Sequence, residues 1–234
     1  MREEKLTIAT GDATVSALLL TPARPRACYV FAHGAGASMT HAFMGACAVG
    51  LAARGIATLR YQFPYMERGS RRPDTPRVAH AAVRAAVAEA ALRLPGTPLF
   101  AGGKSFGGRM TSQAQAESPL PGVRGLVFLG FPLHPAGKPS DERAAHLSDV
   151  GVPMLFLQGS RDELASLELL RPLVTRLGAR ATLRVFDDAD HSFHVPARSG
   201  RKDAEVRDEA LDVVAAWIGQ VHGHIDQVHD HRSP

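Results

Sequence analysis

The chain has 234 residues, 45% hydrophobic and 21% charged, which suits one soluble globular domain with a sizeable core. Its formal charge of +4 comes from scattered arginines interleaved with acids and carries no RNA- or DNA-binding signature, which argues against a nucleic-acid partner. Cys28 and Cys47 are the only cysteines, the N-terminal Met-Arg-Glu-Glu-Lys lacks a signal peptide's apolar core, and runs such as 125–132 are too short to span a bilayer. A cytoplasmic protein with no disulfide framework and no membrane partner is the expectation.

In chain order, residues 5–9 and 14–20 read as a hairpin around Thr10-Gly11-Asp12. Residues 28–32 form a continuous apolar run, a buried strand, ending in His33-Gly34-Ala35-Gly36. Spacing predicts a helix over 42–53, closed at Gly55, then a strand over 56–60. A Pro-, Gly- and Arg-rich loop is expected over 61–76, and an alanine-rich helix over 78–94. Strands follow at 98–101, 125–130, 152–157 and 181–186, with helices at 109–117, 163–177 and 203–221. Alternating strands and helices make an α/β protein with a mostly parallel sheet covered on both faces. Residues 1–221 are expected to form one domain, and 222–234 a polar, His-rich, flexible tail.

The most informative stretch is Gly103-Lys104-Ser105-Phe106-Gly107, a G-x-S-x-G between a strand and a helix. A serine on so sharp a turn has a strained backbone, and its neighbours need to be nearly free of side chains. Gly103 and Gly107 leave that room, and Gly108 lets the helix pack close. A hydroxyl becomes a nucleophile only beside a base, and the base needs an orienting group. Ligands of open α/β sheets bind beyond the strands' carboxyl ends. There the chain offers Asp162 and Glu163 after one strand, and His191 and His194 after the next. Asp162 also suits a helix cap, and Glu163 is its rival as the acid. His191 lies nearer its strand end, whereas His194 suits packing beside the site. The amides of Ala35 and Phe106 are assigned to an oxyanion hole. Asp190-His191-x-x-His194 is not a zinc motif, so no metal or cofactor is expected.

The motifs Ala32-His-Gly-Ala-Gly36, Arg60-Tyr-Gln-Phe-Pro-Tyr-Met66, Gly102-Gly-Lys-Ser-Phe-Gly-Gly-Arg109, Gly130-Phe-Pro-Leu-His-Pro-Ala-Gly-Lys-Pro139 and Gln158-Gly-Ser-Arg-Asp162 carry a resemblance. Over nearly the whole length the chain resembles the α/β-hydrolase superfamily, in particular its small, cap-less dienelactone-hydrolase-like members. Within these it resembles a subgroup that includes a eukaryotic subunit of the non-specific-lethal chromatin complex and its testis-expressed relative. The resemblance implies an eight-stranded sheet with the second strand antiparallel. It also implies Ser105 as nucleophile, Asp162 as acid and His191 as base. Dienelactone hydrolases carry cysteine where Ser105 stands, so their substrate does not transfer.

The expected activity is that of a serine hydrolase, a carboxylesterase acting on small-molecule esters through an acyl-enzyme. A thioesterase or peptidase would use the same machinery, and a non-catalytic interaction module is the rival class. The short connection between the strands at 125–130 and 152–157 leaves no room for a lid domain. Lys138 and Arg143 in that connection are candidates to meet an anionic group or to be plain solvated loop. The sequence sets no oligomeric state.

Overall fold

Strands apolar on both faces need cover on both sides, and the chain supplies it with helices between successive strands. The structure, a computed structural model, describes residues 1–11 and 13–230, without the side chains of 224–230. Its strands are β1 (Arg2–Thr10), β2 (Ala13–Thr21), β3 (Ala27–Ala32), β4 (Ile56–Tyr61), β5 (Leu99–Lys104), β6 (Val123–Leu129), β7 (Met154–Gly159) and β8 (Ala181–Phe186). They form one eight-stranded sheet in the order β1-β2-β4-β3-β5-β6-β7-β8. β2 runs antiparallel to both β1 and β4, and every pairing from β4 to β8 is parallel. This is the expected α/β-hydrolase fold, including the antiparallel second strand.

The helices are α1 (Ala42–Ala53), α2 (Pro64–Glu67), α3 (Pro76–Arg93), α4 (Phe106–Glu117), α5 (Leu167–Leu177) and α6 (Asp203–Asp230). Side chains alternate across each strand and divide the interior in two. Cys28, Val30 and Ala32 of β3 face the core under α3, α4 and α5, whereas Ala27, Tyr29 and Phe31 face the core under α1 and α6. The alanine pattern of α3 buries Ala79, Ala82, Ala86 and Ala90, so that helix lies close on the sheet. The strand order reverses at β3, whose neighbours are β4 and β5. The segments leaving β3 and β5 therefore emerge together at the carboxyl edge of the sheet, the usual place for a ligand site in such folds.

Some boundaries differ from the sequence expectation. Pro64, locked for the first helical position, starts α2 inside the predicted loop. The helix expected from residue 163 begins at Leu167, because Ser166 caps it by accepting the Glu168 N–H. α6 runs past Val221 to Asp230, as no proline interrupts it and a single Gly223 is not enough to stop it. Of the expected tail, 231–234 lie outside the described residues, as does Asp12 of the hairpin turn. Only a 3-10 stretch, Glu142–Asp149, fills the connection from β6 to β7, and the described residues form no separate cap domain. Among the described residues no helix is long and apolar enough to cross a membrane.

β5 is so closely flanked that neither Gly102 nor Gly103 admits a side chain. Gly102 has φ +145°, and a Cβ there would stand 1.9 Å from the Val127 carbonyl oxygen. Gly102→Ala is expected to lose about 3 kcal/mol from backbone strain and displaced β6. Urea unfolding with an unchanged m-value is the check.

Candidate active site

Ser105 joins β5 to α4 with φ 50° and ψ −116°, a conformation that costs a non-glycine residue roughly 1–3 kcal/mol. Its surroundings account for the flanking glycines. A Cβ on Gly103 would stand 2.4 Å from the Ala32 carbonyl oxygen, and one on Gly107 would stand 2.5 Å from that of His33. The exit of β3 is thus pressed against the turn that carries the serine. The Ser105 N–H donates to the Leu129 carbonyl at 3.2 Å, which ties the turn to β6 as well.

His191 lies in the loop after β8. Its Nε2 is 2.8 Å from Ser105 Oγ, and its Nδ1 is 2.7 Å from Asp162 Oδ2. The Asp162 side chain is fully buried, and a buried carboxylate needs donors. It has three: the Leu164 N–H at 2.8 Å, the Gln158 side-chain amide and the His191 ring. Gln158 is held in turn, its oxygen accepting the Phe131 N–H at 3.0 Å. With Nδ1–H donating to the carboxylate, Nε2 is left to accept the serine proton. Asp162 is not a helix cap, since Ser166 fills that position. Glu163 is exposed and lines a cleft beside His191, but the ring's Nδ1 bonds to Asp162 instead. His194 is exposed too, and pairs with Asp203 at 2.9 Å, which raises its pKa. The structure therefore joins Ser105, His191 and Asp162 in one hydrogen-bond chain, with Glu163 and His194 beside it but outside that chain.

The loop carrying His191 is pinned. The Asp190 carboxylate accepts the N–H groups of Ser192 and His194 at 2.7 and 2.9 Å. Phe193 is buried edge-to-face on Phe186. A third tether escaped the sequence reading. Lys104 Nζ donates to the His191 carbonyl oxygen at 2.5 Å and lies 5.9 Å from the centre of the Phe193 ring. Burial lowers the Lys104 pKa to about 8, with Asp162 and Asp190 partly offsetting the loss of solvent. The available signal was its position: a long cation directly before the serine, between glycines that contribute no side chain.

The assigned oxyanion amides belong to Ala35, in the turn after β3, and Phe106, the first residue of α4. Neither N–H donates to an acceptor among the described residues. The turn is held from below. His33 is buried, donates from Nδ1 to the Gly34 carbonyl at 2.8 Å and accepts the Phe63 N–H on Nε2 at 3.1 Å. That bonding defines one neutral tautomer, and burial pushes its pKa down to about 4. The Gly36 N–H donates to the Tyr65 hydroxyl at 3.3 Å. Tyr61, Phe63 and Tyr65 are core residues that support this turn. A cleft of about 360 Å³ opens over Ser105 and His191, with Phe43, Met44 and Leu164 as its apolar wall. Among the described residues no group of three or more His, Cys, Asp or Glu could hold a metal ion.

A serine at the first strand-to-helix turn past the switch point, with a histidine and an aspartate supplied by later strand ends, defines a protein of the α/β-hydrolase class. The chain belongs to the alpha/beta hydrolase domain family, whose model matches residues 25–219. Its fold is similar to that of a dienelactone hydrolase from Anabaena variabilis, with a TM-score of 0.77 at 20% identity over 94% of this chain and 97% of that one. It is also similar to a lidless serine hydrolase from Xanthomonas campestris, with a TM-score of 0.71 at 22% identity over 92% and 94% of the two chains. Two curated sequences from strains of Mycobacterium tuberculosis, named putative phosphoribosyl transferases, are 29% identical over 200 residues. That match covers 84% of this chain and 43% of theirs, so the chain spans less than half their length.

The Lys104 tether is expected to make the site sensitive to alkali. The folded chain releases this proton near pH 8, and the unfolded chain near the ordinary 10.5. The buried charge therefore costs stability below pH about 8, and the cost is relieved as pH rises toward 10.5. Over the same range the tether on the His191 carbonyl loses its charge. Turnover is expected to decline above pH about 8, and Lys104→Met is expected to have lower turnover with that alkaline limb gone. A pH-rate profile of both proteins is the check.

Proposed function

We propose that the protein is a serine hydrolase, most specifically a carboxylesterase of small-molecule esters. The observation that carries this reading is the unbroken hydrogen-bond chain from Ser105 through His191 to Asp162. In the proposed reaction His191 takes the Ser105 proton as Oγ attacks the ester carbonyl. The Ala35 and Phe106 amides receive the oxyanion at the N-terminus of α4, where the helix dipole favours negative charge. The imidazolium, steadied by Asp162, then protonates the departing alcohol. Water activated by the same imidazole clears the acyl group and restores Ser105. No cofactor enters these steps.

The short β6–β7 connection, with only a 3-10 stretch over the site, supports a small, solvent-accessible substrate over a long lipid chain. Thioesters and activated amides share the chemistry and differ in the leaving group. The phosphoribosyl transferases named above are more than twice as long as the matched stretch, and the serine–imidazole pair supports acyl transfer instead. The motif likeness to the chromatin-complex subgroup favours one second reading, a non-catalytic interaction module on the same fold.

A fluorophosphonate probe is expected to label the folded protein and to spare Ser105→Ala. Hydrolysis of p-nitrophenyl acetate and butyrate is expected to fall on the order of 10³-fold or more in Ser105→Ala and His191→Ala. Asp162→Asn is expected to fall steeply as well, because an amide there leaves the imidazole tautomer wrong. A folded protein that no such probe labels at any pH would favour the interaction module. Acyl-thioesters run beside the p-nitrophenyl esters rank the substrate classes.

A further inference from the structure

Ser105 borders two clefts. One is the apolar cleft beside Phe43 and Met44. The other, about 370 Å³, lies on the α4 side and is walled by Phe106, Arg109, Met110, Pro132 and Arg143. Arg109 sits one helical turn beyond Ser105, and so on the same side of α4. Arg143 comes from the 3-10 stretch Glu142–Asp149, which packs on α4. The two guanidinium groups are close enough for the charge of Arg143 to depress the pKa of Arg109, with burial as the larger cause.

These two arginines differ from the others near the core. Arg54 is bonded to Asp208 and Asp212, Arg60 to Glu3, and Arg84 to the carbonyls of Ala114 and Ser118. Arg109 and Arg143 have no carboxylate or carbonyl partner among the described residues, and Arg109 Nε is buried without an acceptor. The nearby charges do not cancel them. Asp74, at the rim of the cleft, is committed to Arg68 at 2.6 Å and to the Tyr65 N–H at 2.7 Å. His146, bonded to Ser112, is pushed down to about 4 by burial and by Arg109, and so brings no charge at neutral pH. Desolvating a guanidinium without a partner is unfavourable, and two side by side repel. Such a pair matches the oxygens of a carboxylate or phosphate, which guanidinium groups bind through paired N–H donors.

We infer that Arg109 and Arg143 form an anion subsite, and that the substrate is an ester with a carboxylate or phosphate on one side of the scissile bond and a hydrocarbon arm on the other. The hydrocarbon arm lies against Phe43, Met44 and Leu164, and the anion anchors the molecule across Ser105. This substrate class rests on the hydrolase reading, whereas the anion site itself does not.

The test separates the two. Binding is measured on Ser105→Ala, which needs no turnover, by ligand-observed NMR at low salt. The ligands are ethyl butyrate, ethyl hydrogen succinate and 2-(butyryloxy)ethyl phosphate. At least one anionic ester is expected to bind about 10-fold or more tighter than ethyl butyrate, and which one does so identifies the anion. Arg143→Gln and Arg109→Gln, each added to Ser105→Ala, are expected to cut that preference about 5-fold or more. If Arg109→Gln does not fold, the half-buried Arg143→Gln decides. Equal binding of charged and neutral esters, or a preference that survives substitution of Arg143, overturns the subsite. Fluorophosphonate labelling of Ser105 without anion preference overturns this inference alone. Anion preference without labelling supports the subsite and overturns the hydrolase reading.

Discussion

The structure depends on a backbone-to-backbone approach. The end of β3 and the turn after β5 meet so closely that neither Gly103 nor Gly107 has room for a single carbon. That approach places the turn after β3 beside the first turn of α4, and with it the amides of Ala35 and Phe106. The strain at Ser105 has the same origin, because a turn this tight forces the serine to positive φ. The surrounding core holds the strain in place: β5 is hydrogen-bonded to strands on both sides, and α4 packs on the sheet through Phe106, Met110 and Ala114.

Around this fixed point, the partners of Ser105 come from loops that have been made rigid. Asp162 stays buried because three donors satisfy it, one of them locked in turn by Phe131. His191 stands on a loop held by Asp190 from within, by Phe193 from below and by Lys104 from the neighbouring strand end. Lys104 and Ser105 are adjacent in sequence, and both engage residue 191, one through its carbonyl and one through its ring. The geometry of the imidazole is thus referred to the same turn that positions the hydroxyl. Preorganisation of this kind avoids rearrangement at the moment of reaction.

The electrostatic setting is uneven across Ser105. On one side Phe43 and Met44 form an apolar wall, with Lys104 turned to the His191 carbonyl, and on the other two guanidinium groups lie where α4 meets the 3-10 stretch. The short connection between β6 and β7 carries Arg143 in its 3-10 stretch and so contributes a charge to the site.

Much of this was legible in the linear pattern. Buried strands announce themselves as unbroken apolar runs, and the strand–glycine–serine–glycine–helix order gains its meaning from an acid and a histidine that follow later strands. Asp162 and His191 could be nominated because each follows a strand whose carboxyl end must share one edge of a parallel sheet. Local rules could not choose Asp162 over Glu163, or His191 over His194: neighbours in sequence point in different directions, and only packing says which one faces the serine. Capping had an equal claim on Asp162 until Ser166 was seen to fill that position. Arg143 could be nominated, with Lys138, to meet an anionic group from its place in the short connection, but its neighbourhood with Arg109 and the bond from Lys104 to the His191 carbonyl depend on what lies across space. The chemistry available was thus written in residue types and spacing, whereas the pairing of donors with acceptors waited on the fold, since hydrogen bonds and charge interactions decay within a few ångströms and sequence separation says little about such distances.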